Sequence, residues 1–205
     1  MGEQSHGAPL PAHAFAELLQ MTQSAVHGFV QRLLGSRDDV HDVAQDVYVQ
    51  AWRMAQRGSP PFACDPSAPD VFDLAGMRRW LFNVAYHQSI TLLRHRRLIP
   101  WESLDGADEE TVAMAPFGRP AAEPFEDQVL EGALLQAALA RLQPSDAASL
   151  MLSIVQGFST AEIAQILGIA PDAARKRLSR AMERLRVAYV AQEVTPTRKR
   201  KGAAT

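Results

Sequence analysis

Apolar residues recur at intervals of three and four along most of the chain and almost nowhere alternate strictly, so the pattern predicts helices rather than sheet. Phe15, Leu18, Leu19, Thr22, Val26, Phe29, Val30 and Leu33 form the stripe of a first amphipathic helix, which Gly35 stops. Ser36 and Asp39 read as a capping box opening a second helix, with Val40, Val43, Ala44, Val47 and Ala51 inward. Asp39, Asp42 and Asp46 fall on one acidic face beside that stripe, and Trp52 lies near the helix end. Gly58-Ser59-Pro60-Pro61 then breaks the pattern, and a loop rich in Pro and Asp runs on to about Gly76. Helical character returns from Met77 to Leu98, as one helix or as two with a break near Tyr86-His87.

Residues 101–126 carry acids, three prolines (Pro116, Pro120 and Pro124) and little periodicity, the composition of a mobile linker. From Asp127 to Tyr189 helices resume, with breaks at Gln143-Pro144, Gly157-Phe158 and Gly168. The tail TPTRKRKGAAT has the composition of a disordered end. The expected fold is therefore all-α: two small helical domains over residues 10–99 and 127–192, joined by an acidic linker over 100–126 and followed by a basic tail over 193–205.

The segment Phe158 to Arg186 carries the sharpest local signal. Ser159 and Glu162 form a second capping box, opening a short helix with Ile163, Ile166 and Leu167 inward. Gly168 supplies a left-handed stop, and Pro171 suits the first turn of the next helix, where its missing N–H costs nothing. On that helix Ala174, Leu178, Ala181 and Leu185 mark the buried side, while Arg175, Lys176, Ser179 and Arg180 lie opposite. A short helix, a glycine turn and a basic second helix make a helix-turn-helix, whose second helix enters the DNA major groove. Arg and Lys there can bond guanine edges or phosphates, and Ser179 can do either. The plainer reading is a solvated basic face on a helical hairpin.

Composition sharpens this picture only when divided by segment. The chain has 205 residues, 47% hydrophobic, with a formal net charge of −2. That charge is a cancellation: the net is −5 over residues 1–74, +5 over 75–98, −8 over 99–131 and +6 over 132–205. The positive blocks coincide with the basic helices, and the negative ones with the acidic helix and the linker, as separate surfaces for separate partners require. Between Arg78 and Arg97 basic and ring-bearing residues interleave. Arg78, Arg79, Arg94, Arg96 and Arg97 can neutralise phosphates, while Tyr86 and His87 can meet an unpaired base. Trp52, Trp80 and Phe82 are read as core, since aromatics at helical spacing usually pack inward.

No catalytic chemistry is expected. The six histidines have no metal-ligand spacing, there is no P-loop and no G-x-S-x-G, and the one cysteine, Cys64, has no evident base beside it. The sequence thus implies no catalytic residue, no metal and no cofactor. No apolar run approaches the roughly 20 residues of a membrane helix, and no secretory leader is legible, so the expectation is a cytoplasmic protein with no membrane insertion.

Three stretches in order resemble bacterial sigma-70-type sigma factors of the extracytoplasmic-function (ECF) group. DDVHDVAQDVYVQAWR resembles the helix that docks on the β′ clamp helices of core RNA polymerase. RRWLFNVAYHQSITLLRHRR resembles the segment that opens and reads the −10 promoter element. QPSDAASLMLSIVQGFSTAEIAQILGIAPDAARKRLSRAMERLR resembles the C-terminal domain that reads the −35 element and meets the β flap. The resemblance implies a transcription initiation factor, with core polymerase and promoter DNA as partners and control by an anti-sigma factor. It assigns polymerase docking to Asp39, Asp42, Gln45 and Asp46, and −35 recognition to Arg175, Lys176, Ser179 and Arg180. It assigns −10 melting to Arg78, Arg79, Asn83, Tyr86, His87, Arg94, Arg96 and Arg97, with Asn83 to Ser89 as a loop capturing a flipped-out base. His87 stands where the family often has Asn, Thr91 where it often has Asp, and Ala170 replaces the usual serine-type cap of the recognition helix. Two rivals stay open: a helix-turn-helix regulator that binds an operator without polymerase docking, and a sigma-like decoy that sequesters an anti-sigma protein.

Overall fold

The computed structural model describes residues 8–35, 37–64, 72–98, 135 and 137–200. The chain divides into two compact units, Met1–Ala107 and Asp108–Thr205. The capping-box residue Ser36 and the linker segment 100–126 lie outside the described residues.

In the first unit three helices, α1 (Ala12–Leu34), α2 (Arg37–Gln56) and α3 (Leu74–Leu98), pack against one another. Their inward stripes meet: Leu18, Val26, Phe29 and Val30 from α1, Val40, Val47 and Ala51 from α2, and Met77, Leu81 and Phe82 from α3. Phe29 and Phe82 touch edge to face with ring centroids 5.3 Å apart. Gly35 ends α1 at φ 75°, its N–H bonded to the Gln31 carbonyl. Buried Thr22 donates to the Leu18 carbonyl at 2.6 Å and shares a 3.0 Å hydrogen bond with the Tyr48 hydroxyl, joining α1 to α2. Burial raises the Tyr48 phenol above its ordinary pKa, and the Thr22 bond works against that shift.

Of the two alternatives open for the segment from Met77, the structure takes the single helix, and two further features of this unit differ from the sequence reading. Helix α3 is continuous from Leu74 to Leu98, with no break at Tyr86-His87, because no Gly or Pro interrupts Met77–Leu98. It starts before Met77 because the Asp73 carboxylate accepts the Gly76 N–H at 2.8 Å, an N-cap that closes the first turn. A Cβ at Gly76 would fall 2.1 Å from that carboxylate, so glycine suits the position. Finally, Ala8–Pro9 (β1) and Ala63–Cys64 (β2) pair antiparallel, Ala8 opposite Cys64 and Pro9 opposite Ala63. This two-residue pairing is too short to show as alternation. It anchors part of the loop after α2, with Phe62 fully buried edge-on to Trp80 and the Cys64 thiol donating to the Pro9 carbonyl at 3.2 Å.

In the second unit residues 137–140 are helical, followed by α4 (Pro144–Leu150), a π turn (Met151–Val155), α5 (Thr160–Leu167) and α6 (Pro171–Arg200). The capping box is formed: Ser159 Oγ accepts the Glu162 N–H at 3.3 Å, and the Glu162 carboxylate accepts the Ser159 N–H at 2.9 Å. Gly168 is left-handed at φ 65°, ψ 38°, and its N–H returns to the Ala164 and Gln165 carbonyls. The turn therefore closes as the sequence spelled it. Ile163, Ile166 and Leu167 are buried, and Leu139, Leu150 and Ala181 form a cluster with Leu142, Leu178 and Leu185 packed on it. Helix α6 extends to Arg200, beyond the start of the tail read as disordered and past Pro196. Ser159→Ala should lower the stability of this unit by about 1 kcal/mol in urea unfolding, since it removes a formed N-cap.

Candidate nucleic-acid interface

The recognition helix is built from the turn outward. With Ala174 and Ala181 fully buried against α5 and α4, the helical period turns Arg175, Lys176, Ser179 and Arg180 to solvent. Ala170 offers no side-chain cap. Its carbonyl accepts the Ala174 N–H at 3.0 Å, and Pro171 fills the first turn. Asp172 in that turn pairs with Arg175 at 3.0 Å, both side chains being more than 70% exposed. This exposed pair leaves Arg175 available to a stronger anion.

Sequence reasoning missed what holds the helix at its far end. Asp146, 5% exposed on α4, forms an ion pair with Arg184 of α6. The signal was an acid in the first turn after Pro144, but its partner 38 residues later is not legible in the sequence.

In the first unit the acidic and basic helices lie side by side. Asp42, Gln45 and Asp46 are exposed on α2, and Asp39, three quarters buried at its side chain, pairs with Arg96 near the end of α3. Between the helices runs a groove of about 510 Å³, lined by Asp39, Asp42 and Asp46 from α2 and by His87, Thr91 and His95 among others from α3. Arg78, Arg79 and Asn83 are partly buried, and the Arg78 guanidinium lies 5.6 Å from the centroid of the Phe82 ring. His87 and Arg94 are exposed; the side chain of Arg97 lies outside the described residues.

Several site expectations need correction. Tyr86 is only 6% exposed, because it shares the inward face with Phe82, Ala85 and Ser89 at helical spacing. His87 is the exposed ring, edge-on to Tyr86 with centroids 5.2 Å apart. Residues 83–89 form helix rather than a loop, and the buried Ser89 hydroxyl donates to the Ala85 carbonyl at 2.7 Å. Phe82 is core, but Trp52 is 38% exposed, edge to face with Phe15 of α1, so it is a surface ring. Among the described residues, no group of three or more His, Cys, Asp or Glu is arranged to hold a metal, and no helix is long and apolar enough to cross a membrane.

Family models for sigma-70 region 2 and sigma-70 region 4 match residues 18–68 and 132–185. The chain is 30% identical over 173 residues to the RNA polymerase sigma factor CarQ of Myxococcus xanthus, across 84% of this chain and 87% of CarQ. It is 27% identical over 185 residues to the ECF RNA polymerase sigma factor SigE of Mycolicibacterium smegmatis, across 88% of this chain and 63% of SigE. The chain belongs to the ECF group of the sigma-70 family. This sigma factor shares its fold with the sigma factor RpoE, solved in complex with the anti-sigma factor NepR from Bartonella quintana. The TM-score is 0.57 at 23% identity, covering 85% of this chain and 95% of that one. Membership supplies the function: a sigma factor directs promoter-specific transcription initiation. The region 2 match lies within the first unit and the region 4 match within the second.

Proposed function

We propose that the three exposed faces divide the work of initiation. Asp42, Gln45 and Asp46, with Asp39 beside them, form the surface of region 2 that docks on the β′ clamp helices of core polymerase. Arg78, Arg79, Asn83, His87, Arg94, Arg96 and Arg97 on α3 engage and help melt the −10 element. Arg175, Lys176, Ser179 and Arg180 on α6 read the −35 element, and region 4 meets the β flap. The linker over 100–126, net-acidic, follows a basic nucleic-acid channel between the two domains (10–99 and 127–192), with the basic tail from 193 onward touching DNA without sequence preference. An anti-sigma factor controls access to these surfaces; the similar RpoE was solved in complex with the anti-sigma factor NepR. The polymerase supplies the catalysis, and the chain acts in the cytoplasm, where polymerase is.

The observation that carries this reading is the pairing of an acidic helix face with a basic helix in one unit and a formed helix-turn-helix in the other. An operator-binding regulator has no use for the first of these. Run-off transcription with sigma-free core polymerase and promoters from the protein's own genome tests it; absence of both transcripts and core binding would overturn it. In the same assay Arg180→Ala should weaken −35 recognition by about 1–3 kcal/mol if it bonds a base edge. An unchanged preference among −35 variants would reduce Arg180 to a phosphate contact.

A further inference from the structure

Asp39 and Arg96 belong to opposite assignments, one to a basic protein surface and the other to DNA, yet the structure joins them to each other. We infer that this ion pair is a latch coupling the two interfaces: in the free chain it occupies Arg96, and docking on polymerase frees Arg96 for the DNA strand. The inference rests on the division of faces proposed above and adds how they are regulated.

The location of the pair makes it replaceable. Asp39 lies in the first turn of α2 and Arg96 in the last turn of α3. An acid at a helix N-terminus and a base at a C-terminus are each favoured by the helix dipole. When the pair opens, neither charge is therefore left without compensation. The side chains are 25% and 42% exposed, so water screens their attraction and the bond is weak enough for a partner to displace. A basic polymerase surface competes for Asp39, and a phosphate competes for Arg96.

Each ligand must break the same bond, so whichever binds first spares the second that cost. Binding is then cooperative in both directions by linkage. The groove between the helices contributes as well. Asp42 and Asp46 line it alongside Asp39, and this carboxylate row opposes a nucleic-acid strand on α3 until a basic partner covers it. A free sigma factor built this way holds its −10-reading face closed and opens it on the enzyme.

The test uses the full chain and a labelled single-stranded DNA oligonucleotide of mixed sequence, with affinity read by fluorescence anisotropy near physiological salt, with and without core polymerase. Without core, Asp39→Asn should bind about two- to fivefold tighter than the parent, the range spanned by a partly exposed ion pair. Asp38→Asn, which removes the same charge from an exposed side chain outside the Asp39–Arg96 pair, should change little. In an Arg96→Ala background the Asp39→Asn gain should fall to that of Asp38→Asn, and with core bound it should shrink towards nothing. The latch is overturned if Asp39→Asn gains no more than Asp38→Asn, or if its excess over Asp38→Asn survives in Arg96→Ala. Loss of thermal stability in Asp39→Asn with unchanged DNA affinity would also overturn it, leaving only a staple between helices. If Arg96→Ala itself leaves DNA affinity unchanged, the assignment of Arg96 to DNA fails along with the latch. If Arg96→Ala weakens binding but Asp39→Asn does not strengthen it, the latch alone fails.

Discussion

Reversing Asp42 and Asp46 to Lys is expected to lower affinity for sigma-free core polymerase by at least ~100-fold, measured with the full chain by competition against the parent. The magnitude follows from sign: each substitution replaces an attraction with a like-charge contact, and such contacts cost several kcal/mol across an interface, with 1.4 kcal/mol per tenfold. The fold should tolerate the change. Both side chains are exposed in the middle of α2, where surface substitutions stay within roughly 0.5 kcal/mol. Binding of the full chain to duplex −35 DNA should persist, because Arg175, Lys176, Ser179 and Arg180 lie in the other unit. The parent's affinity for core should also fall with salt, and the doubly reversed variant should lose most of that dependence. Retained core binding would move the docking surface off the α2 face.

How much of this was legible beforehand depended on the range of the interaction. The stop at Gly35, the capping box of Ser159 and Glu162, and the left-handed Gly168 are local chemistry, and each formed where the sequence spelled it. The inward stripes of α1 and α2 were legible for the same reason, since burial follows the helical period. Tyr86 shows the limit of type-based reasoning. A ring in a basic segment suggested a base contact, but its position relative to Phe82 and Ser89 puts it in the core. The π turn over Met151–Val155 adds a residue to one helical turn, an offset that a 3.6-residue pattern does not reveal. Asp146–Arg184 and Asp39–Arg96 join residues 38 and 57 positions apart, and the β1–β2 pairing spans as much. Such links exist only once the chain is packed. At the interface the consequence is specific: the family resemblance assigns Arg96 and Arg175 to DNA, whereas the fold first pairs them with Asp39 and Asp172.

Phe82→Ala should destabilise region 2 by about 3–5 kcal/mol, the largest single effect expected on stability. The ring is fully buried, meets Phe29 edge to face from α1, and carries the Arg78 guanidinium at 5.6 Å. Truncation therefore removes core volume and the platform under a residue assigned to DNA in one step. Against the 5–15 kcal/mol typical of a whole domain this loss is severe, and it should lower the region 2 transition by at least ~10 °C. Calorimetry of the full chain separates this from a general collapse. The transition of the second unit should stay within a degree or two of the parent's, roughly, because its core of Leu139, Leu150 and Ala181 shares nothing with Phe82. Phe82→Leu, which keeps most of the volume, should recover the larger part of the loss. Open-complex formation by the Phe82→Ala holoenzyme should then fall more steeply with temperature than its binding to −35 duplex, since region 2 melts while the helix-turn-helix remains folded. A shift of both transitions together would mean that the two units unfold as one and that the core around Phe29 and Phe82 supports the whole chain.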